Sequence, residues 1–184
     1  KTHTEKLPNG AKLATVIPEG LGDSQSVLEV KVLVVKRGIR TVIDRLSINL
    51  KKGHLYILEA PNGWGKSSLL DVIAGIHPLE SGKIILKGKE LNTIPTHERI
   101  KIGLAYLRSQ QSVFSSVSVK EQRKLSNANI PLFDNSLNGK SKGSYLSGGE
   151  KQKLLIEMLP EADVCLLDEP MIGLDKGSIE KLVE

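Results

Sequence analysis

Three short segments of this chain carry the residue types that handle phosphate. The first is Pro61-Asn62-Gly63-Trp64-Gly65-Lys66-Ser67-Ser68, which follows the apolar run Leu55-Tyr56-Ile57-Leu58 and precedes a helix-period pattern. In that setting the N–H groups of the loop and of the helix start turn toward an anion, and the helix dipole favours negative charge there. Gly63 and Gly65 let the backbone wrap closely without a side-chain clash. Lys66 would reach the β- and γ-phosphates of a nucleotide, and the Ser67 hydroxyl would offer an oxygen to Mg2+. Asn62, Trp64 and Ser68 complete the loop. The full pattern asks for glycine where Ala60 stands. A plainer reading stays open, a strand-to-helix turn that contains Gly-Lys-Ser.

The second segment is Asp168-Glu169-Pro170, which closes the apolar run Val164-Cys165-Leu166-Leu167. A carboxylate at the carboxyl end of a central strand sits where ligands bind in open α/β sheets. Asp168 fits the acid that holds Mg2+, and Glu169 is placed to orient and deprotonate an attacking water. Pro170 stops the strand. A solvated acidic turn is the alternative. The third segment is Ser147-Gly148-Gly149-Glu150. Its S-x-x-E spacing is that of a capping box, which by itself makes only a good helix start. With Gly148 and Gly149 the start is also bare enough for backbone donors to meet a phosphate. A second such start in a chain with one phosphate loop suits the nucleotide of a partner subunit.

These segments need elements to position them. Val27–Val35, Thr41–Leu50 and Leu55–Glu59 read as strands, Ser67–Ile76 as a helix with Leu69, Leu70, Val72, Ile73 and Ile76 on its packed side, and Lys83–Leu86 as a strand. Thr96–Ile100 starts a short helix, Ile102–Leu107 is strand-like, and a helix runs from about Gly148 to Leu159. Val164–Leu167 has the fully apolar texture of a strand inside a parallel sheet. Residues 1–26 carry Pro8-Asn9-Gly10, Pro18-Glu19-Gly20 and Gly22-Asp23-Ser24, turn signals without a period, and read as an extension or linker. The stretch from 109 to 144 is polar, with runs such as Asn135-Ser136-Leu137-Asn138-Gly139, and reads as a small inserted subdomain.

Composition agrees with one α/β domain. The chain has 184 residues, 39% of them hydrophobic but only 3% aromatic, so its core is mostly aliphatic. The net charge of +5 is that of a solvated basic face, and the lysines are not interleaved with aromatics, so no nucleic-acid partner is expected. The single cysteine, Cys165, cannot form an internal disulfide, which suits a reducing compartment. No apolar stretch is long enough to span a bilayer, and no signal peptide is visible. The chain begins with Lys1 rather than Met, as a processed or trimmed piece would.

Taken in order, these segments resemble the ATP-binding subunit of an ABC transporter. Leu146-Ser147-Gly148-Gly149-Glu150 matches that family's signature, Val164–Pro170 is similar to its Walker B strand, and Met171-Ile172-Gly173-Leu174-Asp175 resembles its D-loop, with Asp175 as the acid. The resemblance covers residues 27–184. It implies an α/β P-loop NTPase (RecA-like) core with a mainly parallel sheet, an N-terminal β part and a short helical subdomain at 108–145. It implies ATP and Mg2+ as cofactors, with Lys66 and Glu169 catalytic, Ser67 and Asp168 on the metal, and a head-to-tail dimer in which Ser147, Gly148 and Gly149 contact the opposite γ-phosphate. Membrane permease subunits and a place at the cytoplasmic face of the membrane follow from the same likeness. A narrower one, Ile94–Arg99 followed by Ile102–Leu107, is similar to branched-chain amino acid importers and lipopolysaccharide-export ATPases, and is too short to choose a subfamily.

The chain also departs from the family. Where an aromatic usually stacks on adenine, Arg37 precedes Gly38; an arginine plane can also stack on a base. The Q-loop glutamine falls at Ser109 by ungapped counting, with Gln110 and Gln111 next. The four histidines are His3, His54, His77 and His97. The family's switch histidine lies beyond the D-loop, so the resemblance reads as a domain truncated before it. Two alternatives therefore stand beside the transport ATPase: a partial domain that binds ATP without hydrolysing it, and a soluble ABC-type ATPase unconnected with transport.

Overall fold

Alternating apolar residues build the longest hairpin. Leu28, Val30, Leu33 and Val35 are buried along β3 (Ser26–Arg37), and β4 (Arg40–Lys51) contributes Ile43 and Leu46 to the same core. The turn is so short that Arg37 pairs with Arg40, which forces the two strands antiparallel. The structure is a computed structural model that describes residues 1–20, 24–109, 111–126, 132–133, 137 and 142–183. It divides into two compact units, Lys1–Leu104 with Ala162–Val164, and Ala105–Glu161 with Cys165–Glu184.

In the first unit β3 and β4 are joined by β6 (Ser81–Leu86) and β7 (Lys89–Glu90) in a sheet of order β4-β3-β6-β7. A second sheet has the order β1-β2-β5, from β1 (Thr2–Lys6), β2 (Lys12–Val16) and β5 (Leu55–Glu59). Two helices follow, α1 (Lys66–Ala74) and α2 (Thr96–Lys101). Arg99 of α2 is buried, and its guanidinium donates to the carbonyls of Val72 and Ile73 at the end of α1 and to those of Leu91 and Ile94, at 2.6–2.9 Å. The Val72 and Ile73 carbonyls lie in the last turn of α1, where intrahelical donors run out, so the arginine helps the Gly75 N–H to close that end of the helix. Burial pulls its pKa down from the ordinary arginine value.

The second unit holds most of β8 (Leu104–Leu107) and β9 (Val164–Leu167), with α3 (Val119–Leu125), α4 (Gly148–Glu157) and α5 (Lys176–Val183). Its core gathers Leu107, Val113, Val119, Phe133, Leu137, Leu146, Leu154, Leu155 and Ile156. Glu157 is buried there, and it accepts from the Arg123 guanidinium at 2.7 Å and from the Phe133 N–H at 3.0 Å. A buried charge that is both paired and hydrogen-bonded in this way is tolerated in a core.

Three expectations are corrected. Residues 1–26 are not a bare extension: β1 and β2 form a hairpin across the turn Pro8–Gly10, and β2 pairs with β5 from Lys12 opposite Glu59 to Val16 opposite Leu55. Every residue of β1 is exposed, so it carries no apolar alternation to announce it. The expected mainly parallel sheet is represented, among the described residues, by β8 and β9: bonds from Val164 N–H to Gly103 O and from Asp168 N–H to Leu107 O advance together along the chain. All other registered pairs run antiparallel; tight turns impose this on β1–β2, β3–β4 and β6–β7, while β2–β5 and β3–β6 pair across longer connections. Ile76, expected on the packed side of α1, is exposed beyond the Gly75 cap. Gly22, Asp23 and most of the run from Asn135 to Gly139 lie outside the described residues, but Leu137 is buried.

Candidate functional site

The strand β5 delivers the chain into the loop 60–65, and α1 leaves it. Gly65 is the residue before the helix, at φ 110° and ψ 22°. A side chain there would be strained, and its Cβ would stand 3.1 Å from Ile43 Cδ1 and 3.3 Å from the Val42 carbonyl. No side chain caps α1, and its first turn holds no acidic residue, so its leading N–H groups are free of side-chain acceptors. Lys66 curls back, its ammonium donating to the Ala60 carbonyl at 2.8 Å. Ser67 is exposed, as are Asn62 and Gly63. Trp64 is buried, and its indole N–H donates to the Pro8 carbonyl at 2.9 Å. The loop is thus a ring of backbone around a lysine, over a helix start of positive polarity.

Arg37, at the end of β3, reaches α1. Its Nη2 meets Asp71 Oδ2 at 2.7 Å and its Nε donates to Ser68 Oγ at 3.1 Å. Asp71 is 1% exposed, so the pair binds the hairpin to the first turns of the helix. His77 stands beside it, with Nε2 2.8 Å from the Lys36 carbonyl and Nδ1 3.5 Å from Arg37 Nη1. The carbonyl can only accept, so Nε2 carries the proton and Nδ1 accepts from the guanidinium. Sequence reading missed Asp71 and His77. The signal was there in Asp71, an acid inside the apolar run of α1.

The second unit holds the other expected residues. Asp168 is buried at the end of β9, its N–H bonded to the Leu107 carbonyl at 2.9 Å. Its Oδ2 is fully buried and has no hydrogen-bond partner among the described residues. Glu169 follows, exposed, at φ 53°, a left-handed conformation costly for a residue with a side chain. The Gln152 side chain donates to the Pro170 carbonyl at 3.1 Å and ties this turn to α4.

At the start of α4 the capping box is complete. Ser147 N–H and Oγ both donate to Glu150 Oε2 at 2.9 Å, and the Glu150 N–H donates to Ser147 Oγ at 3.3 Å. Of the two glycines expected to leave this start bare, Gly148 faces open space, whereas Gly149 faces the backbone of Gly173, where a Cβ would overlap the Gly173 carbonyl oxygen. Asp175 precedes α5. Its carboxylate accepts from the Lys153 ammonium at 2.9 Å, from the Ser178 N–H at 3.0 Å and from the Ser178 hydroxyl at 2.9 Å. The Lys153 bond, then those of Ser178, hold this carboxyl well below the usual carboxylate range. Ser109 and Gln111 are exposed, and Gln110 lies outside the described residues.

Comparison with known proteins gives this arrangement a family. A family model described as ABC transporter matches residues 43–172. Among curated proteins, a branched-chain amino acid transport ATP-binding protein of Archaeoglobus fulgidus, LivF, is 34% identical over 145 residues, 70% of this chain and 61% of its own. The lipopolysaccharide export ATP-binding protein LptB of Escherichia coli is 30% identical over 158 residues, 76% of this chain and 66% of its own. The chain spans 61% and 58% of the first two curated relatives it matches. In fold it is similar to an ATP-binding cassette of an ABC transporter, with a TM-score of 0.69 at 20% identity over 86% of this chain and 75% of that one. An ATP-binding subunit of an ABC transporter gives a TM-score of 0.70 at 24% identity over 85% and 72%. The family match runs through the phosphate loop, the Ser147–Glu150 helix start and the acidic end of β9, and the chain belongs to the ABC transporter family.

Proposed function

We propose that this chain binds Mg-ATP and hydrolyses it as the energy-coupling subunit of an ABC transporter. The observation that carries this reading is the start of α1, free of side-chain caps and acids, beneath a loop that curls around Lys66. Lys66 leaves the Ala60 carbonyl to meet the β- and γ-phosphates, and the backbone of Asn62, Gly63, Gly65, Ser67 and Ser68 supplies donors to them, while the Trp64 backbone N–H is already bonded to the Pro61 carbonyl within the loop. Arg37, held by Asp71 and Ser68, is the cation assigned to the base and its surroundings.

The orphaned Asp168 oxygen fits Mg2+: it is a buried oxygen acceptor in need of a cation. Among the described residues no three His, Cys, Asp or Glu side chains gather into a metal cage, and Mg2+ asks for none, since it takes one or two protein oxygens together with substrate phosphates and water. Asp168 is the donor assigned to it in the second unit, and the family likeness implies the Ser67 hydroxyl as the metal donor of the first. When bound, Mg2+ offsets the negative charge on the phosphate oxygens. Glu169 would orient a water and accept its proton as that water attacks the γ-phosphorus and the bond to the β–γ bridging oxygen breaks, with ADP as the leaving group.

Ser147, Gly148 and Gly149 are assigned to the nucleotide of a second, head-to-tail subunit, with Asp175 in the loop beside them. Membrane permease subunits are the partners, and the cytoplasmic face of a membrane is the place of action. Among the described residues no helix is long and apolar enough to cross a membrane itself. The test is Mg-ATP titration calorimetry with a turnover assay on the wild type, Lys66→Ala and Glu169→Gln. Binding lost in Lys66→Ala, and binding kept with turnover lost in Glu169→Gln, support the reading. A wild type that binds no Mg-ATP, or turnover indifferent to both changes, refutes it.

A further inference from the structure

Trp64 is the only tryptophan of the chain, and it sits in the middle of the phosphate loop. The indole N–H, the one donor of that side chain, is committed to the Pro8 carbonyl rather than free for a phosphate. Here the side chain points away from the loop's open side: it is 9% exposed, with its N–H bonded to Pro8 in the turn between β1 and β2. Gly10 of the same turn lies over the Pro61 ring, so that a Cβ on it would stand 3.8 Å from Pro61 Cγ. From that turn β2 runs back along the whole of β5, the strand that feeds the loop. Leu7, Ala11 and Leu13 of the hairpin are buried, so its grip is anchored by apolar packing as well as by the ladder.

We infer that the β1–β2 hairpin is a positioning element for the phosphate loop and that Trp64 is its positioning residue. The inference rests on the nucleotide reading above. Gly63 and Gly65 stand at φ 77° and 110°, conformations a free glycine chain visits among many others. Ordering such a loop around a ligand costs conformational entropy. The pinned indole holds the loop in its curled form beforehand, and the Trp64 backbone N–H closes it on the Pro61 carbonyl at 3.2 Å. A loop ordered in advance binds its triphosphate without that cost. Trp64 acts on affinity through the backbone and leaves the chemical step untouched.

Two measurements on the full chain test this. Trp64→Phe keeps the buried ring and deletes the N–H donor. It is expected to raise KM for Mg-ATP about fivefold, the worth of one hydrogen bond, while kcat stays within about twofold. In the wild type the emission of the sole tryptophan is expected to be that of a buried indole both free and saturated with Mg-ATP. A KM unchanged in Trp64→Phe, or a red shift of wild-type emission on saturation, overturns the inference. The emission experiment decides the matter if the variant fails to fold. A wild type that binds no Mg-ATP by calorimetry fails the nucleotide reading and this inference together, whereas binding with an indifferent Trp64→Phe fails this inference alone.

Discussion

The helix starts of the two units are built in opposite ways. In the second unit each is closed by its own side chains: α3 by Ser118 and Glu121, α4 by Ser147 and Glu150, and α5 by Asp175 bonded to the Ser178 N–H. In the first unit neither α1 nor α2 has a side-chain cap. Satisfied donors stabilise a helix, whereas unsatisfied ones leave it a place for an anion. The first unit therefore keeps at α1 a start that a triphosphate can complete. The start of α4 already has a carboxylate of its own, so Glu150 stands where an incoming γ-phosphate would bring more negative charge. That carboxylate accepts from the Ser147 N–H and hydroxyl, so the negative charge sits beside the N–H groups of Gly148 and Gly149 rather than on them.

Changes that blur this contrast should act in a definite order. Asp168→Asn is expected to have the largest effect. It removes the charge of the orphaned oxygen, and Mg-ATP turnover should fall about 100-fold or more. The nucleotide-free protein should at the same time melt at a higher temperature, because a buried group without a partner is costlier charged than neutral. Steady-state kinetics and calorimetric melting check the two halves, and a variant that melts lower would contradict the account of Asp168.

Ser68→Glu comes next, because it sets at the third position of α1 the acid that α4 has at Glu150. Affinity for Mg-ATP should drop about 10- to 30-fold, measured by titration, since a negative group then occupies the positive end of the helix. Affinity that survives this change would break the comparison between the two starts.

The smallest effect is expected at Asp175, where the contrast is read through pH. Its carboxyl titrates below the usual range when folded, held there by Lys153 and Ser178. The stabilisation is therefore fully present above the unfolded-chain value of about 3.9 and is lost as pH falls through the folded value. The melting-temperature gap between wild type and Asp175→Ala should be constant from about pH 7 to pH 5 and close below about pH 4. A gap that widens on acidification would show that the cap is not what Asp175 contributes.

How far the residues announced all this depended on the kind of signal each leaves. The phosphate loop, α1 and the Ser147–Glu150 box were legible because glycine, lysine and capping spacings are local rules. The strands β3, β4 and β6 were legible because their burial alternates. The β1–β2 hairpin was not, since β1 is exposed throughout and, among the described residues, pairs with β2 alone. Arg37 was expected against a base, yet its commitments to Asp71, Ser68 and His77 span the fold of the first unit. Contacts between residues far apart in the chain leave no spacing to read. Gly149 offered a middle case: its need for glycine was visible, but the reason, the backbone of Gly173, was not.

That last contact has a consequence for anyone who would move these parts. The start of α4 and the turn around Gly173 fit backbone to backbone, with no side chain between them to absorb a change of either. The signature segment is therefore not a portable peptide. Grafted into another scaffold without its distant glycine, it would arrive as half of an interlocking joint. A library that varied one side alone would sample mostly misfits, and the productive unit of exchange is both segments together.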